Sequence, residues 1–457
     1  MKIAVTDADV SLSFKTKRLL QRMLSQICGL QQQVSFPLHG RHKPRVIVCG
    51  VELTGVHVLQ GRPKPPGVSP YHIGGSGFFS NEALIRAVGE TVERYSQLIA
   101  EHSGLHDFVY ANITEIRDRG GRALAESALK MFSPEQYQHN GFPFYPIESE
   151  QVLAWVRTKS LIDGARVWAP AQMVLVGYAA KTELGEKRIA PAVTTGTAAH
   201  TDVEIALRSA LLEAIQLDSS IGHWYSSWQA YRIENDSRTD VISRLIDKYC
   251  SHLGPEIEFF WIPNVDLPGF TIACLVRERG NCFPKISIGL GSELRLCAAM
   301  YKALLESVGV SGLSKVTLVE GCIDVENDRW KQPGVAEDKM FDLDANVLYF
   351  GFPEKAAIVE RKFGNCASVQ AQDIPPDVQS LSTRDEIRLL ISAFRDTRKE
   401  LLYLDLTTCD VRDLGFAVVR VWSPDTLSLS LPSAPPLKHP RLKAYGGAFP
   451  SGPHPYA

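Results

Sequence analysis

Apolar and polar positions change period several times along this chain, and each change marks an element. From Phe14 to Gln31 the apolar residues recur at helical spacing, which predicts an amphipathic helix. Arg45 to Val58 reads as strand-rich, with Val46, Val48 and Val51 supplying β-branched side chains. Gly61, Pro63, Pro65, Pro66, Gly67 and Pro70 then interrupt regular structure. Short elements are predicted over 104–170, separated by Gly120-Gly121, Pro134 and the loop from Phe142 to Pro146. Between 255 and 290, apolar runs such as Glu258–Ile262 and Thr271–Val276 predict strands. A charged amphipathic helix follows over 383–402, then a buried strand from Leu414 to Trp422. Beyond Leu431 the chain is rich in proline and finishes Pro453-His454-Pro455-Tyr456-Ala457.

A weak internal repeat says more than any single element. Ala87-Val88-Gly89-Glu90, Ala210-Leu211-Leu212-Glu213 and Ala303-Leu304-Leu305-Glu306 share an Ala-x-x-Glu core on predicted helices. Each helix follows a glycine-bearing segment, predicted as a turn: Gly74-Gly75-Ser76-Gly77, Thr194-Thr195-Gly196-Thr197 and Gly289-Leu290-Gly291-Ser292. A strand, glycine turn and helix repeated three times predicts a duplicated α/β (α+β) architecture.

The chemistry these units suggest is oxygen-rich. Glu90 and Glu93, three residues apart, project from one helix face, and Glu213 with Gln216 repeats that spacing. Three carboxylates and an amide oxygen suit Mg²⁺, which takes hard oxygen ligands and keeps phosphate oxygens in its shell. Turn N–H groups and helix N-termini are expected to offer phosphate a complementary partner. Glu-x-x-Glu on a helix is commonly just a solvated face. Here Ala83, Leu84, Ala87, Val88 and Ala206, Leu207, Ala210, Leu211 make the two helices largely apolar. Carboxylates on a buried helix are costly unless paired or metal-bound.

Composition narrows the remaining classes. The 457 residues carry 49 Lys+Arg against 51 Asp+Glu, a formal charge of −2, without the basic excess of a generic nucleic-acid binder. Lys15, Lys17, Arg18 and Arg22, then Arg41, Lys43 and Arg45, form a local basic cluster. It reads as a solvated face, with polyanion binding as the alternative. Met1 to Asp7 turns acidic before an apolar core develops, so no signal peptide is expected, and no run approaches the roughly 18 apolar residues of a membrane span. Nine scattered cysteines without a C-x-x-C pair predict reduced thiols in a cytoplasm, with Cys274 and Cys282 as core thiols. A phosphate loop of the G-x-x-x-x-G-K-[ST] type, a dinucleotide fingerprint and a G-x-S-x-G elbow are all missing from the sequence. His200 and His223 bracket the second helix and read as structural.

Gly74–Gly77 followed by Glu90-Thr91-Val92-Glu93-Arg94-Tyr95-Ser96 resembles the first signature of the YcaO family. Thr194 to His200, then Glu204-Ile205-Ala206 and Ala210 to Asp218, is similar to the second. Asp405-Leu406-Thr407, Gly415 to Val421 and His439-Pro440-Arg441-Leu442 match the C-terminal pattern in order. The resemblance runs from about residue 70 to 457, so it implies a lead-in over 1–70, a catalytic unit over 71–430 and a tail over 431–457 that reaches toward the active site.

By that resemblance Glu90, Glu93, Glu213 and Gln216 hold the metal, Ser76, Thr195, Thr197, Glu204 and Glu306 contact the nucleotide, and Arg94, Lys302, Pro455 and Ala457 serve catalysis. Ser76 stands where many relatives carry lysine, Gly309 where a third glutamine would fall, and only Pro453-His454-Pro455 matches the family's proline-alternating end. The implied cofactors are ATP and Mg²⁺. The implied reaction is cyclodehydration of a ribosomally made precursor peptide: a Cys, Ser or Thr side chain attacks the preceding carbonyl, the oxyanion takes a phosphoryl group from ATP, and phosphate leaves to give an azoline. The family's habit implies an E1-like, leader-peptide-binding partner and a flavin-dependent azoline dehydrogenase, with no nucleic acid or membrane involved. A homodimer is the default expectation for assembly. Thioamide formation, macroamidine closure and a nucleotide-binding scaffold are the competing readings.

Overall fold

The computed structural model describes every residue except 1–11, 26–28, 38–39, 54, 60–71, 121, 325–328, 331–336, 338–339, 342, 380 and 450–451. The proline-rich break after Gly61 therefore lies outside the described residues. Among the described residues three larger sheets organise the molecule, beside a two-stranded ribbon of Ile323–Asp324 and Arg329–Trp330. The first is antiparallel: β1 (Gln31–Ser35), β2 (Ile47–Leu53) and β3 (His72–Gly77), in that order. The second contains β4 (Phe108–Ala111), β5 (Arg122–Ala123), β6 (Leu153–Ser160), β7 (Arg166–Pro170) and β8 (Thr197–His200). The third contains β9 (Tyr231–Glu234), β10 (Glu256–Trp261), β11 (Phe270–Arg277), β12 (Ile286–Glu293) and β13 (Ala367–Gln370), ordered β12-β11-β10-β9-β13. β14 (Leu402–Asp405) and β15 (Ala417–Trp422) return to the second sheet, whose order is β5-β7-β6-β14-β15-β8, with β4 beside β6.

β3, β8 and β12 are each the end strand of their own sheet. Each leads into a long helix: α2 (Ser80–Ile99) after β3, α3 (Val203–Trp224) after β8 and α4 (Leu296–Cys322) after β12. The repeat in the sequence is thus a repeated strand–helix unit. The units also interlock in a ring, because α2 touches β8, α3 touches β12 and α4 touches β3.

The glycine segments correct the sequence reading. Gly74–Gly77 and Gly289–Ser292 lie within strands, and only Thr194–Gly196 turns before its strand. Their glycines are there for helix-to-strand approach. A Cβ on Gly75 would collide with the backbone of Ala83 and Ala87, and one on Gly289 or Gly291 with that of Ala299 or Ala303. Small residues therefore face each other across the seam, which accounts for the alanine recurring one turn before each repeated glutamate. Gly196 alone needs the left-handed region, at φ +77°, with Val421's carbonyl against it.

The remaining elements follow the hydrophobic pattern with shifted ends. α1 (Phe14–Met23) starts where the pattern begins, capped by Ser13, but stops at Leu24, which turns extended so that Gln31 can start β1. Within the strand-rich 45–58 segment the strand ends at Leu53, and Val56–Leu59 is helical. The 383–402 helix is α6 (Thr383–Asp396), and α5 (Leu343–Gly351) lies before it. α4 has no unbroken apolar run but is long and apolar enough on average to cross a membrane by length and composition. Half of that stretch is buried within the protein, where α4 covers β12 and β11. Cys274 is buried, whereas Cys282, expected in the core, is exposed on the loop before β12. The eight described cysteines are all free thiols.

Candidate active site

The site forms at the centre of the ring of three units. In each, a backbone N–H of the strand region donates to the helix glutamate: Gly74 to Glu90 Oε2 at 3.1 Å, Leu290 to Glu306 Oε1 at 3.1 Å, and Gly196 to Glu213. The N–H groups expected to cradle phosphate are therefore used by the protein's own carboxylates, which they orient inward.

Those carboxylates perturb one another. Burial pushes Glu93 well above the ordinary carboxylate range, and Glu213 and Glu90 add to the effect. Burial raises Glu213 to about 8, opposed by Arg94, the Gly196 N–H and Arg420, with Glu306 adding to it. Glu306 is pushed up to about 7 by burial and by Glu90. Like charges facing each other in a partly enclosed crevice disfavour full ionisation unless a proton or a cation compensates them. Among the described residues no three His, Cys, Asp or Glu side chains converge tightly enough to enclose an ion alone. Gln216 lies one turn past Glu213 on the same face of α3.

Two arginines answer the carboxylates. Arg94 Nη2 lies 3.3 Å from Glu90 Oε1, and although burial opposes its charge, Glu90, Glu93 and Glu213 hold it charged. Arg420, fully buried on β15, is lowered to about 10 by burial while Glu213 and Glu93 work to keep it protonated. Its Nη1 donates to Thr197 Oγ1 at 3.2 Å, and its Nε and Nη2 have no hydrogen-bond partner among the described residues. Sequence reasoning quoted Arg420 within a motif without giving it a role. The available signal was a lone cation in an otherwise apolar strand, flanked by the buried Val418, Val419 and Val421.

The other sequence-derived candidates divide. Ser76 on β3 meets α4 at Gly309, whose missing side chain makes room for the serine hydroxyl. Lys302, one turn before Glu306, pairs with Glu293 at 2.6 Å. Thr197 anchors Arg420, but Thr195 is buried and accepts the Leu429 N–H at 3.0 Å, a structural contact. Glu204 is not brought to the cluster: it lies in the first turn of α3, nine residues before Glu213, and pairs on the surface with Arg384 at 2.6 Å. His200 Nδ1 accepts the Asp202 N–H at 2.9 Å and His223 packs on Phe363, both structural.

The C-terminal motif has a physical reason. Asp218, two residues past Gln216 and fully buried, receives Arg441 Nη2 at 2.7 Å, the Tyr445 hydroxyl at 2.9 Å and the Asn264 amide at 3.0 Å. Arg441 also reaches Asp266 at 2.7 Å. The proline-rich end is held in the interior: Asn346 Nδ2 on α5 donates to the carbonyls of His454 at 2.9 Å and Tyr456 at 2.6 Å. Burial lowers His454 to about 4. Pro455 sits beside Ile288 and Val310, one turn from Glu306, and Ala457 is exposed.

Comparison with known proteins agrees with this geometry. A heterocyclase solved in complex with substrate and cofactor is similar at TM-score 0.66 and 16% identity, over 90% of this chain and 52% of that one. The chain thus spans about half the length of that relative. YcaO from Methanopyrus kandleri, bound with AMPPCP and Mg²⁺, is similar at TM-score 0.58 and 16% identity, over 87% and 86% of the two chains. A chain of the E. coli microcin synthetase McbBCD complex with pro-MccB17 bound gives TM-score 0.58 and 15% identity, over 95% and 99%. No curated protein sequence matches the chain. The family described as YcaO cyclodehydratase, ATP- and Mg²⁺-binding, matches residues 74–427, more than three quarters of the chain. The fold is shared with these structures, and the chain belongs to the YcaO cyclodehydratase family.

Proposed function

We propose that the chain is an ATP-dependent cyclodehydratase that forms thiazolines and oxazolines from Cys, Ser and Thr of a ribosomally made peptide. The observation that carries this reading is the mutual perturbation of the helix glutamates of the three repeats, flanked by half-buried Arg94 and fully buried Arg420. Glu90, Glu93, Glu213 and Gln216 would hold Mg²⁺, and Glu306 would complete the acidic wall. Mg²⁺–ATP, when bound, supplies the phosphoryl group that turns a peptide carbonyl oxygen into a leaving group. Arg94 and Arg420 would balance negative charge that builds as phosphate moves, an effect worth most in a site fixed in advance. The catalytic unit would span 71–430, with 1–70 as a lead-in joined to it through β2 and β3. Pro455 and Ala457 would bring the tail toward the reacting peptide, and Ser76 and Lys302 would line the approach.

An E1-like, leader-binding partner and a flavin-dependent dehydrogenase are assigned as partners by family likeness, supported by similarity to a chain of the McbBCD complex with pro-MccB17. Free thiols support a cytoplasmic setting. Antibiotic or bacteriocin biosynthesis is the corresponding context.

The test is phosphate release from Mg²⁺–ATP with and without the precursor peptide and its co-encoded partner, with product mass read from the same tube. Peptide-dependent release and loss of one water per event support cyclodehydration. Exchange of oxygen for sulfur when sulfide is supplied would transfer the proposal to thioamidation. Nucleotide binding without peptide-stimulated turnover would favour a scaffold.

A further inference from the structure

We propose that the outer face of α1 is a docking surface for an acidic protein segment that also carries apolar side chains. The inner face of this helix is spent on the fold: Leu19, Leu20 and Met23 are buried, and Ser13 N–H and Thr16 Oγ1 both bond Asn81 Oδ1, at 3.0 and 2.8 Å. The outer face presents Lys15, Lys17, Arg18 and Arg22, and α1 contains no acidic residue. Among the described residues none of these four pairs with a carboxylate. Lys15 donates to the Thr201 hydroxyl at 3.3 Å, and Arg18 lies over the Phe14 ring.

Lys15 and Lys17 fall in the first turn, where a cation opposes the helix dipole. Folding alone disfavours that placement, and an external carboxylate would relieve it. Apolar side chains stand at the same end. Phe14 is 76% exposed and Phe79 66%, on either side of the Ser13–Asn81 contact, and Val203, 51% exposed, follows Thr201. Basic charge beside exposed aromatic surface is complementary to an acidic segment with apolar anchors. A bilayer is a poorer match, since the apolar face of α1 is already occupied by the fold. The chain's net charge of −2 argues against nucleic acid.

The proposal is independent of the reaction above. The probe is a fluorescein-labelled peptide of Asp-Glu-Leu repeats, titrated with the full chain and followed by anisotropy. Saturable binding that weakens as salt rises, and that falls about tenfold in Lys17→Glu/Arg18→Glu and in Phe14→Ser, is expected. Lys17→Gln/Arg18→Gln provides a milder variant, and circular dichroism confirms that each chain is folded. Unchanged affinity in the folded variants, no saturable binding, or equal binding of single-stranded DNA or of phosphatidylglycerol vesicles would overturn it.

Discussion

Replacing Glu213 by glutamine should make the metal-free protein more stable, and only above acid pH. In the folded chain the Glu213 carboxyl is raised from 4.5 to about 8, chiefly by burial. Between those values the unfolded chain has lost the proton while the folded chain keeps it, so stability falls as pH rises from about 4.5 toward 8. The shift of 3.5 units, at about 1.36 kcal/mol each, sets a ceiling near 5 kcal/mol. Glu213 retains some contact with water and shares its charge with neighbours, so a gain of about 1–3 kcal/mol is expected at pH 8. Glutamine keeps an oxygen for the Gly196 N–H, so little else is lost. The assay is thermal unfolding of both proteins at pH 4.5 and pH 8 without divalent cation. A chain of this size should gain a few degrees at pH 8 and nothing at pH 4.5. Equal melting temperatures at both pH values, or a loss at pH 8, would refute the charge-crowding argument. The same variant should lose Mg²⁺-dependent stabilisation by ATP.

Arg420→Met removes the buried cation between Glu93 and Glu213, and should raise the Mg²⁺ and ATP concentrations for half-maximal turnover at least tenfold; unchanged titrations would remove Arg420 from the site. Gly75→Ala inserts a methyl against the Ala83 carbonyl and should cost about 1–3 kcal/mol, whereas Gly89→Ala, with open space around it, should be neutral or stabilising in the same melting assay. Asp218→Asn weakens the partner of a buried arginine and should cost about 3–5 kcal/mol by denaturant titration, a loss that surface carboxylates such as Glu204 would not reproduce. Asn346→Leu leaves two buried carbonyls of the tail without a donor, and should make the C-terminal residues labile to carboxypeptidase while the rest of the chain resists.

The acidic centre was legible because its spacing is local. Glu90 with Glu93, and Glu213 with Gln216, share a face by helix geometry alone, and the surrounding alanines and leucines announce burial. What sequence could not supply was which partners meet across long separations. Arg420 lies roughly two hundred residues beyond Glu213's unit, on a strand whose pairing with β8 decides where the guanidinium goes. Glu204 shows the opposite error: it matched a motif, but at the first turn it lies about 13 Å along the helix axis from Glu213. The glycine segments were misread as turns because a glycine that allows a helix to approach a strand leaves the same mark as one that bends the chain.

The ring of three units has a kinetic consequence. Its carboxylates at 90, 213 and 306 stand on three helices that follow end strands of three separate sheets, so no single strand–helix unit can form the proposed cation site by itself. Closure must await contacts of high sequence separation, which are the slow steps of folding. Nucleotide affinity then measures joint assembly rather than local order. Ligand that binds only the closed ring pulls the whole equilibrium toward it by mass action, and a lesion in any one sheet should appear first as weakened nucleotide binding, before the chain unfolds.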